Sequence, residues 1–294
     1  MLLGLVFGVN SIRCKVPHPF LNTPADADRG KGVVVLGRFR RNLLSSVATA
    51  ALTIGGLAGA TPVIAANTNW TNAGGDNNWN NPANWTNGLP SNNSGSTTYV
   101  EGTAPAVVDG ITVIGSGRTW VGRPTVDGTV MVQGGGSLDA GTFELFGTNG
   151  FAGYGVSNGA GSILSSSSAF IGSYGGVGHI TVEDGGTFST TYTGYLGQYN
   201  NSMGTVSVTG AGSVWNAGSI VVGGADGGSY DAVGIITVSD GGSVSSGGGS
   251  QQITVSNGPN MTGIINIGAA EGDAAVAPGT IQASRIRFVA GNAA

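Results

Sequence analysis

The sequence predicts an all-β protein, a right-handed single-stranded parallel β-helix built from stacked glycine-rich rungs. A phrase of glycine, then Ser or Thr, then a large apolar residue returns five times. The copies are Gly136-Ser137-Leu138, Gly161-Ser162-Ile163, Gly186-Thr187-Phe188, Gly212-Ser213-Val214 and Gly242-Ser243-Val244. Their glycines are spaced by 25, 25, 26 and 30 residues, within the range of stacked repeat arrays. Upstream of the phrases, apolar residues occupy every second position, as in Val130/Val132, Ile180/Val182, Val206/Val208 and Ile236/Val238. That period belongs to half-buried strands.

Downstream of each phrase a second apolar run ends in glycine: Leu145-Phe146-Gly147, Phe170-Ile171-Gly172, Tyr195-Leu196-Gly197 and Val221-Val222-Gly223. Each unit thus holds two or three short strands joined by turns in which glycine takes positive φ without steric cost. A propeller blade needs about 40–45 residues, and these units are shorter. An antiparallel sandwich does not require one phrase to recur at one place in every unit. The burial offered by a single rung is smaller than the entropy lost in ordering its backbone, so rungs must fold as an array with capped ends. Residues 107–290 are expected to form roughly seven rungs with strands about 4.8 Å apart. Val182, Val208 and Val238 should share one interior column, and Phe188, Val214 and Val244 another.

Composition agrees with an ordered, exported chain. There are 56 glycines and only 9% charged residues, yet mean hydropathy is +0.16, whereas disorder pairs low hydrophobicity with high charge. Seven of the 11 basic residues precede position 42. Beyond residue 66, four arginines face thirteen carboxylates, a net charge of −9 with no lysine. Phosphate backbones require clustered Lys and Arg, so nucleic acid is not expected as a partner.

The chain divides into five parts. Residues 1–37, with the only cysteine, Cys14, are unlike the rest of the chain and read as an extension from a start site assigned too far upstream. Residues 38–66 read as a signal peptide. Arg38, Arg40 and Arg41 form its basic region, Leu43 to Ala60 its apolar stretch, and Val63-Ile64-Ala65-Ala66 its small-residue cleavage site. The glycines and Pro62 argue against a membrane-spanning helix there. Residues 67–106 read as a Trp- and Asn-rich cap, 107–256 as the repeats and 257–294 as terminal rungs.

The phrases Gly178-His-Ile-Thr-Val-Glu-Asp-Gly-Gly-Thr-Phe188, Gly204-Thr-Val-Ser-Val-Thr-Gly-Ala-Gly-Ser-Val-Trp215 and Gly234-Ile-Ile-Thr-Val-Ser-Asp-Gly-Gly-Ser-Val244 carry a family likeness. So do the opening Trp79-Asn-Asn-Pro-Ala-Asn-Trp85 and the closing Gly263-Ile-Ile-Asn-Ile-Gly-Ala-Ala-Glu-Gly272 with Ala277-Pro278-Gly279. Together they resemble autotransporter (type V secretion) passengers that bear the repeat shared with PEP-CTERM-associated proteins. The resemblance runs from about Trp70 to Gly291. It implies a non-enzymatic, adhesin-like or structural passenger that uses the Sec machinery and meets surface glycans or proteins. It also implies display at the cell surface or outer membrane where a barrel is supplied, and otherwise residence in the periplasm. Such passengers continue into a barrel of alternating strands, and this chain has neither that run nor a PEP-CTERM anchor, so it reads as a truncated passenger.

No catalytic, cofactor or metal residue is expected. Trp70, Trp79 and Trp85 suggest a sugar-stacking platform or, better, a cap over the first rung. Trp120 and Trp215 read as core or rung-edge residues. His179 could pair with Asp184 and a serine, but no nucleophile elbow accompanies them, and it reads as a surface histidine. Gly223 to Asp231, around Asp226, lacks the order of a calcium-binding repeat and reads as a longer turn. Asp184 and Asp240, replaced by Thr209 in the copy between, read as turn residues bonding their own backbone. A polysaccharide lyase or hydrolase is the rival on this scaffold, but the acids are scattered and Arg285 and Arg287 lie near the end. A ligand-free stalk is the third reading. The Asn-x-Ser/Thr sites at Asn69, Asn84, Asn200 and Asn260 follow from composition.

Overall fold

The computed structural model describes residues 67–91, 95–115, 117–148, 150–224 and 231–293. The expected extension, the signal peptide and Asp226 lie outside the described residues. The fold is a parallel β-solenoid of about seven turns. Each turn contributes three strands, so the sheet wraps into three faces joined by parallel ladders.

The long face comprises Ala106–Asp109, Gly128–Gln133, Ala152–Asn158, Val177–Glu183, Met203–Thr209, Val233–Ser239 and the end of Gln252–Ile267. The short face runs through Thr112–Ile114, Ser137–Asp139, Ile163–Ser166, the start of Thr187–Leu196, the start of Val214–Val222, Ser243–Ser246 and Thr280–Gln282. The third, aromatic face starts at Thr68–Asn69 and continues through Thr97–Val100, Arg118–Val121, Thr142–Leu145, Ser168–Ile171 and the ends of the two long strands. It finishes with the start of Gln252–Ile267 and Arg285–Ala293. Stacking therefore begins inside the segment expected to be only a cap.

Alternation sends every second side chain inward, and equivalent side chains stack. Val182, Val208 and Val238 form a column on the long face and are fully buried, as the sequence predicts. On the aromatic face Val100, Val121, Leu145, Ile171, Leu196, Val222 and Val255 do the same. The short-face column needs correcting. Phe188 stacks on Trp215, and Trp215 on Val244, while Val214 pairs with Thr187 and turns outward. Trp215 is buried core.

The cause lies in the turn between the long and short faces, whose length alternates over the five middle turns, from Val132 to Val244. The inward pairs Val132/Leu138, Val182/Phe188 and Val238/Val244 are six positions apart, whereas Ser157/Leu164 and Val208/Trp215 are seven apart. The shorter turns place two successive residues at positive φ: Gly134-Gly135, Asp184-Gly185 and Asp240-Gly241. Each is closed by a bond from the next residue's N–H, as Gly186 N to Glu183 O at 2.9 Å, the pattern of a type I′ turn. The longer turns close from Ser162 N to Gly159 O and from Ser213 N to Gly210 O, both at 3.1 Å. Within those closing bonds, the positive φ falls on Gly161 and Gly212 at the third position, as a type II turn requires.

The two kinds of turn fit one another. Ser162 Oγ accepts from Gly135 N at 3.1 Å, and Ser213 Oγ accepts from Gly185 N at 3.0 Å, each reaching back to the preceding rung. Ser202 repeats the device at another corner, accepting from Gly175 N at 3.0 Å. For the last short turn, Pro278 O takes the N–H of Gly241 at 3.2 Å. Asp184 and Asp240 do not bond their own backbone as expected. Asp184 accepts from Asn158 and Asp240 from Thr209, one rung back.

Where the aromatic face turns into the long face, a column of glycines is obligatory. Gly128, Gly153, Gly178, Gly204, Gly234 and Gly263 share that place. A Cβ on Gly178 would lie 2.8 Å from Leu145 O, on Gly234 2.7 Å from Leu196 O, and on Gly263 2.5 Å from Val222 O. On Gly204 it would overlap Ile171 O. Each of these carbonyls belongs to the preceding rung, and three accept the next corner's N–H: Gly172 N to Leu145 O, Gly197 N to Ile171 O and Gly223 N to Leu196 O, all at 2.9 Å.

Gly204→Ala is therefore expected to destabilise the protein by about 1–3 kcal/mol, the usual effect of overpacking against backbone. Gly95→Ala, whose Cβ meets nothing, should stay within about 0.5 kcal/mol of the parent. Urea unfolding of both variants checks the pair. Ser213→Ala, which strips the acceptor from Gly185 N, should cost about 1 kcal/mol in the same experiment.

Candidate functional site

The three tryptophans of the cap are not a platform. Trp85 stands edge-on between Trp70 and Trp79, with ring centroids 5.0 and 4.8 Å apart, and Trp79 is only 1% exposed. Trp85 Nε1 donates to Trp79 O at 2.8 Å and Trp70 Nε1 to Ala104 O at 2.9 Å. A short 3-10 turn, Pro82–Asn84, presents Trp85; the Asn81 side chain caps it by accepting from Ala83 N. Asp76 gathers the asparagines around it, accepting from Asn84 Nδ2 at 2.6 Å, Asn78 N at 3.0 Å and Asn81 Nδ2 at 2.9 Å. Those bonds hold its carboxyl below the usual range. The rings close the first turn of the solenoid.

His179 points outward from Val177–Glu183. It shares a hydrogen bond with Thr205 Oγ1 at 2.6 Å and stacks on Tyr154 with centroids 5.2 Å apart. Burial lowers its pKa. Asp184 lies past the strand's end on Asn158, and no hydrogen bond joins it to His179. Arg285 donates to Gln252 at 2.9 Å, and Arg287 stacks in register on Thr254. Among the described residues no group of three or more His, Cys, Asp or Glu side chains is placed to hold a metal ion. Nor is any described helix long and apolar enough to cross a membrane.

The outer side of the aromatic face carries chemistry that the sequence reading passed over. The outward column runs Tyr99, Trp120, Glu144, Phe170, Tyr195. Tyr99 meets Trp120 edge-on at 5.3 Å, and Phe170 stacks nearly parallel on Tyr195 at 5.3 Å. A second row of rings flanks it at the corner: Phe146 lies 5.3 Å from Trp120, Tyr174 6.2 Å from Phe146, and Tyr199 5.0 Å from Tyr174. Such pairs contribute about 0.5–1.5 kcal/mol each beyond their buried area. Arg123 lies 4.9 Å over the Tyr99 ring and bonds Glu101 at 2.9 Å.

One carboxylate interrupts the rings. Glu144 is 5% exposed, and its Oε1 lies 3.2 Å from Arg118 Nε. The guanidinium in turn sits 5.6 Å from the centre of Trp120. Glu144 Oε2 and Trp120 Nε1 are both buried without a hydrogen-bond partner. The indole N–H is close enough to favour the ionised carboxyl, as Arg118 does, but burial outweighs both and pushes the Glu144 pKa up. A small cleft of about 120 Å³ opens here, lined by Arg118, Glu144, Phe170, Tyr174, Gln198 and Tyr199. The sequence does carry a signal for this face. A bulky residue immediately precedes the inward one in Tyr99-Val100, Trp120-Val121, Phe170-Ile171 and Tyr195-Leu196, and reading outward positions rather than inward ones exposes it.

No protein-family model matches this sequence, and neither a curated protein nor a solved structure matches it significantly.

Folded Glu144 holds its proton more tightly than the unfolded chain does. Its contribution to stability is therefore complete below the ordinary carboxyl value of 4.5 and is lost as pH rises through the raised folded value. Glu144→Gln keeps the shape and removes the titration. The stability difference between variant and parent should grow in the variant's favour from about pH 4 to about pH 8, measured by thermal melts across that range. A constant difference would contradict the assignment.

Proposed function

We propose that this chain is an exported, surface-associated passenger of the autotransporter type, one that works by presenting a stacked face to glycans or proteins rather than by catalysis. The observation that carries this reading is the repetition of like side chains along the outside of the solenoid. The short face displays Asp139, Ser165, Ser189 and Asn216 as one polar row, and the aromatic face displays its rings. Rows at rung spacing suit a partner that is itself repetitive, because several weak contacts then act together.

The rival reading is a polysaccharide-acting enzyme. Glycosidic hydrolysis generally uses two carboxyl groups on either side of the scissile bond, and the cleft at Glu144 is lined by one. That supports the binding reading at this cleft.

Export follows the leader read at residues 38–66. The Sec machinery delivers the chain across the inner membrane, and a barrel carries it to the surface. The decisive experiment incubates the purified chain with neutral and acidic polysaccharides, with and without Ca²⁺, and follows new reducing ends and unsaturated uronates. Retention on the polymers without product is the expected outcome. Product formed under either condition replaces the passenger reading with the enzymatic one.

A further inference from the structure

Glu144 is unusual among the side chains of the solenoid's outer surface. A buried polar atom without a partner is destabilising, the more so if charged, and native folds leave few of them. Here one carboxylate oxygen has no partner, its burial disfavours ionisation, and the residue lines a cleft that it shares with Arg118, Gln198 and three aromatic rings. The stacking of the aromatic face does not require an acid at this point. The rungs on either side place Trp120 and Phe170 in the same column.

The lining restricts the ligand. A cation would face the Arg118 guanidinium beside Glu144, and an anion would face Glu144 itself. The pair is electrically balanced, which favours a neutral ligand able both to donate to the carboxylate and to accept from the guanidinium. Hydroxyl groups do both. Gln198 adds an amide, with its Oε1 already held by Ser173 Oγ at 3.3 Å. Tyr174, 64% exposed, and Tyr199 supply ring surface beside these polar groups. A few convergent polar groups among aromatic walls are the usual make-up of a small-molecule site, and rings that are apolar on the face and polar at the edge suit a ligand of the same kind. The cleft, at about 120 Å³, has roughly the liquid volume of four waters, so it receives one edge of a single sugar residue while the rest lies over the exposed Tyr174.

We propose that the cleft formed by Glu144, Arg118, Gln198, Tyr174 and Tyr199 is a subsite for a single neutral sugar residue, a hydroxyl of which donates to Glu144 while its C–H face packs on the tyrosines. The proposal rests on the reading of this protein as a binding module and names the class of partner for that face.

The test titrates the full chain with methyl glycosides of glucose, galactose, mannose and N-acetylglucosamine, followed by calorimetry and by tryptophan fluorescence, since Trp120 adjoins the site. Choline and glucuronate serve as the cationic and anionic probes. Saturable binding of at least one neutral glycoside is expected. Glu144→Gln should weaken it by about ten- to a hundred-fold, the worth of a hydrogen bond to a charged group. Tyr174→Ala should weaken it by about three- to ten-fold and, lying at an exposed position, tests the site without endangering the fold. Tyr192→Ala, an equally exposed ring outside the cleft, should change nothing. No saturable response, affinity unchanged in both site variants, or preference for choline or glucuronate overturns the subsite while leaving surface presentation untouched. Conversion of the glycoside to free sugar would instead overturn the non-enzymatic reading.

Discussion

The structure depends on how closely one rung can lie on the next. At the corner leading into the long face, the carbonyl of the preceding rung occupies the volume where a side chain would begin, and glycine is the residue that leaves it empty. That contact sets the rung spacing at a fixed point of the circuit. From it the register of all three faces follows, because the strands between corners are too short to slip without exposing their inward side chains. The interior columns then fill by volume. Gly155, between Val130 and Ile180 on the long face, leaves a gap into which the Ile180 and Phe143 side chains reach. Gly194 makes room for the Trp215 ring in the same way.

The same constraint explains what happens outside. Once register is locked, an outward residue stands directly above its counterpart one rung away, so a run of rings becomes a ladder and an acid placed among them becomes enclosed. Glu144 is desolvated by its neighbours in the stack rather than by a fold-back of the chain. Arg118 reaches it from the start of the preceding strand of the same face, and the guanidinium covers the Trp120 ring as well. The chemistry of the site is thus a by-product of stacking made specific by one substitution in a column.

Much of this was legible in the sequence. The period, the alternation and the glycine punctuation led to the parallel solenoid and to the valine column. The error at Val214 has a physical origin. The phrase Gly-Ser-large looks alike in all five copies, but in Gly161-Ser162-Ile163 and Gly212-Ser213-Val214 the glycine is the turn residue itself, matching Gly135, Gly185 and Gly241. The chain spends one more residue in those turns, and pattern matching on identity cannot see a change of turn type. The role of Asp184 and Asp240 was misjudged for a related reason, since their partners come from the neighbouring rung and local sequence offers only the local alternative. The Glu144 cleft was missed because its members come from Arg118 to Tyr199, four successive rungs whose outward positions converge only after stacking.

The alternation of turns makes the structural unit a pair of rungs rather than one. A long turn offers a serine hydroxyl, and the short turn before it offers the glycine N–H that the hydroxyl receives. Removing or duplicating a single rung would bring two like turns together, stranding an N–H in one case and a hydroxyl in the other. Removing or duplicating two would leave every such joint intact. An array of this kind can change length by recombination in steps of about fifty residues at little cost, so its natural history and its redesign should both be counted in pairs.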